Sequence, residues 1–154
     1  MLNNNRQLIG VNIRVNTITV CRFDSSCSLL SCFEQTLPQP EMPGAVTVRL
    51  CEAIDSSDKF FEAMFVGIAF PGEIDDFGKV VKTCIQFPGW SDVPLADWLE
   101  PRLSRKVRII NSAAPSFVRQ TFKLKNKTID DDILCSLGAA ILSLEQFTSC
   151  IDQP

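Results

Sequence analysis

Apolar and polar residues alternate along residues 7–21, with Leu8, Val11, Ile13 and Val15 followed by Ile18 and Val20. That period predicts two short strands, and Asn16-Thr17 breaks them into a hairpin. Residues 28–35 (Ser-Leu-Leu-Ser-Cys-Phe-Glu-Gln) read as a third strand, ended by Pro38-Gln39-Pro40. After Pro43-Gly44, apolar residues at Val46, Val48, Leu50, Cys51 and Ile54 predict a helix over 45–54. Residues 63–70 are an unbroken apolar run, the mark of a strand buried on both faces. Residues 72–78 read as a turn region and 79–83 as a short strand. A helix is expected over 94–103, with Leu95, Trp98, Leu99 and Leu103 on one face, then a second buried strand over 106–110. Residues 113–122 read as helical. The last helix starts at Thr128 as N-cap, with Asp130, Asp131 and Asp132 in the first turn, where the helix dipole favours negative charge. Ile133, Leu137, Ile141 and Leu144 follow at helical spacing, and Gly138-Ala139-Ala140 suggests close packing on a neighbour. The order β-β-β-α-β-α-β-α-α gives an α/β domain with a mixed five-stranded sheet flanked by helices.

Composition narrows the class. With 154 residues, 45% hydrophobic and 21% charged, the chain is long enough for one domain with a substantial core. A net charge of −3 argues against a large nucleic-acid surface. Lys123-Leu124-Lys125-Asn126-Lys127 is basic but short, and reads as a solvated loop. No apolar stretch reaches the roughly 18 residues of a membrane helix, and residues 1–6 lack a signal-peptide pattern. A cytoplasmic location is expected.

Seven cysteines and no histidine limit the chemistry. No pair has C-x-x-C spacing, and Cys27 and Cys32 lie in one strand and its approach, so no metal site is expected. The cysteines read as small reduced hydrophobes. Every His-based nucleophile mechanism is excluded.

Three blocks carry a family likeness: Phe65-Val66-Gly67-Ile68-Ala69-Phe70-Pro71-Gly72, Gln86-Phe87-Pro88-Gly89-Trp90-Ser91-Asp92-Val93-Pro94-Leu95, and Val107-Arg108-Ile109-Ile110-Asn111-Ser112-Ala113. Together they resemble the ROK family of repressors, open reading frames and sugar kinases of the glucokinase type. Leu137-Gly138-Ala139-Ala140-Ile141-Leu142 resembles the helix that returns to the N-terminal domain in that family. The resemblance implies a ribonuclease-H-like fold, that of one actin-type ATPase domain. It also implies that residues 1–154 form a single N-terminal domain, with residues 128–147 packing back on it and the second kinase domain absent. The family's zinc-binding cysteines and Glu-x-Gly-His sugar motif belong to that second domain.

The resemblance also assigns positions. The family's phosphate loop, Asp-x-Gly-Gly-Thr, is Asn12-Ile13-Arg14-Val15-Asn16 here. Asn12 removes a carboxylate that helps hold the metal-bound nucleotide, while Arg14 and Val15 replace glycines that let backbone N–H groups approach phosphate. The catalytic Asp position holds Ser112, so no catalytic residue is expected; Asp75, Asp76 and Asp92 read as solvated loop acids. Gly72, Gln86, Asn111 and Ser112 are the sugar-binding candidates. Trp90 reads as a core or hinge anchor in preference to a sugar-stacking ring.

The expectation is a degenerate, non-catalytic domain that acts as a protein-interaction or self-associating module, through a homodimer or another protein, with Phe60, Phe61 and Phe147 as candidate surface. One alternative is a residual hexose-binding sensor, with no helix-turn-helix ahead of Ile9 for DNA binding. The other is a sugar kinase with a remodelled or shared site. No cofactor is expected except Mg-ATP under the kinase alternative.

Overall fold

The computed structural model describes residues 7–37, 39, 41–113, 136 and 138–141. Thr128, the aspartates at 130–132, the expected helix beyond Ala113, the basic loop at 123–127, and Phe147 lie outside these residues. In chain order the elements are β1 (Gln7–Ile13), β2 (Thr17–Phe23), β3 (Leu29–Thr36), α1 (Pro43–Ser57), β4 (Ala63–Phe70), β5 (Glu73–Ile74), β6 (Val81–Thr83), β7 (Ser91–Val93), α2 (Leu95–Leu103) and β8 (Lys106–Asn111). Residues 136 and 138–141 are helical.

The main sheet has the order β3-β2-β1-β4-β8 and is mixed, as expected. β1 pairs antiparallel with β2 and parallel with β4, which in turn pairs parallel with β8. Side chains alternate across these strands, so β1 splits into two sets. Ile9, Val11 and Ile13 face a core shared with Val66 and Ile68 of β4, Val107 and Ile109 of β8, Val46, Leu50 and Ile54 of α1, and Leu95 and Leu99 of α2. Leu8 faces the other way, where it joins Cys21, Phe23, Phe65, Ala140 and Ile141. The central strands are therefore covered on both sides, which explains why β4 reads as a nearly continuous apolar run.

Gly10 lies on that second face. A Cβ there would overlap the backbone carbonyl oxygen of Ser136, while the Ser136 hydroxyl donates to the Thr19 carbonyl at 3.5 Å. Only a hydrogen at Gly10 lets helix backbone sit directly on the strand. Gly10→Ala is expected to push that helix off the sheet at a cost of about 1–3 kcal/mol. Urea denaturation would read the loss, and amide exchange at residues 138–141 would rise with it.

Three features differ from the sequence expectation. A second sheet, β5-β6-β7, rises between β4 and α2, where a turn region and one short strand were expected. Strands of two or three residues carry no readable period. They are joined by a turn in which Asp75 Oδ1 accepts from the Lys79 and Val80 amides at 2.7 and 2.9 Å. α1 is longer than expected, from Pro43 to Ser57, with proline in its first turn where no N–H is needed. Trp98 is 41% exposed and does not share the buried face of α2. The buried residues Leu95, Ala96, Leu99 and Leu103 centre an arc from which Trp98 stands off by about 110° at 3.6 residues per turn.

Candidate functional site

Parallel strands end side by side, and in open α/β sheets the carboxyl ends of such strands form the usual binding crevice. Here β1 ends at Ile13, β4 at Phe70 and β8 at Asn111. The amides of Gly72 and Ser112 both donate to the Phe70 carbonyl at 3.0 Å, which ties the exits of β4 and β8 together. The β1–β2 turn is closed by the Arg14 amide donating to the Thr17 carbonyl at 2.8 Å, and the Leu37 amide donates to the Asn16 carbonyl at 2.7 Å.

These exits surround a cavity of about 440 Å³ lined by Asn12, Ile13, Arg14, Val15, Asn16, Pro71, Gln86 and Ser112. Its size is within the range of small-ligand pockets. The four residues assigned to the phosphate-loop position thus share one wall with Gln86 and Ser112. Ile13 and Pro71 complete the lining; they lay inside the quoted motifs, but their apolar side chains gave no sign of a binding role. Gly72 and Asn111 are the chain neighbours of Pro71 and Ser112 and are not themselves lining residues. A Cβ at Gly72 would stand 2.6 Å from the Thr83 carbonyl oxygen, so the absence of a side chain there is required by β6. Asn111 Oδ1 accepts from the Ala113 amide at 2.8 Å, closing the turn that carries Ser112.

The wall has one formal charge, on Arg14. Asn12, Asn16, Gln86 and Ser112 supply amides and a hydroxyl, and no lining residue is a carboxylate. Asn12 is 3% exposed, so its amide is held in the sheet layer. None of Arg14, Val15 and Asn16 has a positive φ. The turn therefore takes ordinary L-residue geometry, which accommodates the β-branched Val15. Of the acids weighed from sequence, Asp75 is engaged in the β5–β6 turn and Asp92 lies exposed in β7 at φ 51. Among the described residues no group of three metal-ligating side chains occurs.

Trp90 stands behind this site as an anchor. It is 4% exposed, its ring centroid is 4.6 Å from Phe70 and 6.1 Å from Phe87, and Nε1 donates to the Glu41 carbonyl at 3.1 Å. Glu41 is itself held by Arg49, at 2.6 and 2.7 Å. Its hydrogen bond and charge hold the Arg49 guanidinium even more firmly protonated than usual. A ring so enclosed has no face for a ligand.

The sequence profile of the ROK family matches residues 8–141. The chain is 28% identical over 135 residues to a glucokinase of Thermotoga maritima, an alignment that covers 88% of this chain and 43% of that protein. In structure it is similar to a ROK family glucokinase from Streptomyces griseus solved with glucose and AMPPNP, with 25% identity, a TM-score of 0.66, and coverage of 75% of this chain and 35% of that one. It also shares its fold with a ROK family transcriptional regulator homologous to the MLC protein of E. coli, at 14% identity and a TM-score of 0.67, covering 80% of this chain and 32% of the regulator. In each case the chain spans less than half the length of the relative. The shared α/β fold is the actin-type ATPase fold of ROK sugar kinases. With the family profile running from β1 through the hairpin turn and the pocket wall to residue 141, the chain belongs to the ROK family.

Proposed function

We propose that this chain is a ligand-binding ROK domain that holds a hexose-class ligand without transferring phosphate. The composition of the pocket wall carries the reading: side-chain amides at Asn12, Asn16 and Gln86, a hydroxyl at Ser112 and no carboxylate. Amides and hydroxyls donate and accept at once, which suits sugar hydroxyl groups. The Streptomyces relative was solved with glucose in place, which supports the ligand class.

Transfer needs two further things that the wall does not fit. One is a base for the sugar hydroxyl, a contribution of roughly 10²- to 10⁴-fold in rate. A serine hydroxyl takes no proton at neutral pH without a base of its own, and this chain has no histidine. The other is a site for a metal-bound nucleotide. Metal-bridged phosphates call for an acid, and Asn12 is neutral. Backbone approach to phosphate calls for small residues in the turn, and Arg14 and Val15 project side chains there. No phosphoryl-transfer step is assigned to these residues.

The test is thermal stabilisation by a panel containing glucose and N-acetylated hexosamines, with ADP release from Mg-ATP measured in parallel. Bound ligand stabilises by mass action, so one sugar is expected to raise the melting temperature saturably while ADP stays at background. Gln86→Ala is expected to weaken that sugar about fivefold to tenfold, the worth of one hydrogen bond. Sugar-dependent ADP release would overturn the non-catalytic part, and a flat response to every sugar would overturn the ligand.

Exposed apolar residues favour a second reading as an interaction module. Ile85, beside Gln86, is fully exposed; Phe77 is 75% and Phe60 82% exposed. Such residues mark a surface covered by protein where they join into one contiguous apolar patch. A second copy or a protein partner would cover it, and light scattering across a concentration series separates self-association from a monomer.

A further inference from the structure

We propose that Cys21 and Cys32 form a dithiol site that a low-molecular-weight disulfide oxidises to an intramolecular disulfide. The two residues are directly opposite each other on the antiparallel pair β2 and β3. The Cys21 thiol donates to the Cys32 sulfur at 3.2 Å. Opposed residues on such strands have Cα atoms about 4.5–5.5 Å apart. That is within the roughly 4.4–6.8 Å a disulfide spans. Closing the pair to a bond of about 2.05 Å takes a sulfur displacement of about 1 Å, with no change of register.

The two thiols differ in access, which sets the order of events. Cys32 is exposed on β3, an edge strand of the sheet. Cys21 is wholly buried among Leu8, Phe23 and Ala140. A small disulfide RSSR meets Cys32 first. The Cys32 thiolate attacks one sulfur, forming Cys32–S–SR and releasing RS⁻. Cys21, already in contact, attacks the Cys32 sulfur as its proton passes to the departing sulfur, forming the Cys21–Cys32 bond and releasing the second thiol as RSH. Two protein thiols are oxidised and one RSSR is reduced to two thiols. The buried member thus serves as the resolving thiol. Of the other described cysteines, Cys84 is buried with its thiol donating to the Pro71 carbonyl at 3.2 Å, burial pushes the Cys51 thiol up, away from the reactive thiolate, and Cys27 packs against the cluster that holds Cys21 without standing opposite it in the β2–β3 register.

Pairing also explains a choice that single-residue packing does not. A lone exposed cysteine on an edge strand is open to uncontrolled adducts, whereas one with a resolving partner beneath it returns to the dithiol on reduction.

The experiment exposes the full reduced chain to oxidised glutathione, then counts free thiols under denaturing conditions and maps peptides without reduction. The expected result is loss of two of the seven thiols, with one linked peptide pair containing Cys21 and Cys32. Cys32→Ser, at an exposed position that leaves the core intact, is expected to abolish the loss. Cys21→Ala is expected to stop the reaction at a glutathione adduct on Cys32. A stable adduct on Cys32 in the unaltered chain, a disulfide joining any other pair, a covalent dimer through Cys32, or no thiol loss would each overturn the proposal.

Discussion

Arg105→Ala is expected to cost about 3–5 kcal/mol, the usual loss when one partner of a buried ion pair is removed. A domain of this size has about 5–15 kcal/mol in all. The guanidinium side chain is 1% exposed and the Asp58 side chain is fully buried, joined at 3.1 Å. The fork does more than neutralise. Nε donates to the Ala63 carbonyl at 3.0 Å, Nη2 to the Asp58 carbonyl at 3.2 Å, and Nη1 to the Leu103 carbonyl and Asp55 Oδ1, both at 3.2 Å. The Phe61 ring lies 4.3 Å from the guanidinium carbon. Asp58 in turn accepts from the Glu62 and Ala63 amides, each at 2.9 Å. One residue therefore fixes the end of α1, the start of β4 and the entry to β8.

Removing Arg105 leaves the Asp58 carboxylate buried, with the Arg22 guanidinium only at 3.9 Å. The carbonyls that Arg105 served also lose their donor. Arg105→Lys is expected to fall between wild type and alanine, because an ammonium restores the charge and not the planar fork. Urea denaturation gives the number, and a double-mutant cycle with Asp58→Ala gives the coupling. A loss below about 1 kcal/mol for Arg105→Ala would show the network to be dispensable.

Trp90→Ala is expected to be comparable, about 3–5 kcal/mol, since it removes the largest buried ring of the Phe70–Phe87–Trp90 cluster and leaves a cavity beside Phe70. The effect should extend to binding. Phe70 is the last residue of β4, and Pro71, next to it, lines the pocket. A collapsed cluster moves that wall, so ligand affinity is expected to fall together with stability. Trp90→Phe retains most of the ring and orphans the Glu41 carbonyl, so its cost should come to about 1–3 kcal/mol. Circular dichroism suits the measurement, because the remaining Trp98 is half-exposed and reports poorly on the core. Full retention of stability by Trp90→Ala would remove the cluster as the support of the site.

The sheet was legible wherever side-chain periodicity was long enough to read. β1, β2, β4 and β8 each run six residues or more, long enough for an alternation or an apolar run to show. β5 and β7 were not legible, because strands of two and three residues carry no period; the Asp75 turn holds β5 against β6. Trp98 misled because i, i+3 spacing admits it to a stripe that the sheet meets only along the i, i+4 row. The Arg105–Asp58 pair was invisible, since a charged residue in sequence carries no mark of burial. At the site, the motif resemblance brought Asn12, Arg14, Val15, Asn16, Gln86 and Ser112 forward, and the strand exits gather them into one wall. Gly72, a sugar-binding candidate by resemblance, is not a lining residue, and backbone crowding by β6 is what excludes a side chain there.

The contact of Ser136 with β1 and β2 also sets a timetable for the newborn chain. Thr19 and Ser136 are 117 positions apart. At about 5–20 residues per second, the ribosome takes roughly 6–23 s to deliver the second after the first. Throughout that interval the Leu8, Cys21 and Phe23 side of the sheet stands uncovered by residues 136 and 138–141. Half-made chains will therefore carry a sticky surface that finished ones do not, and yields should respond to holdase chaperones and to slower, cooler synthesis.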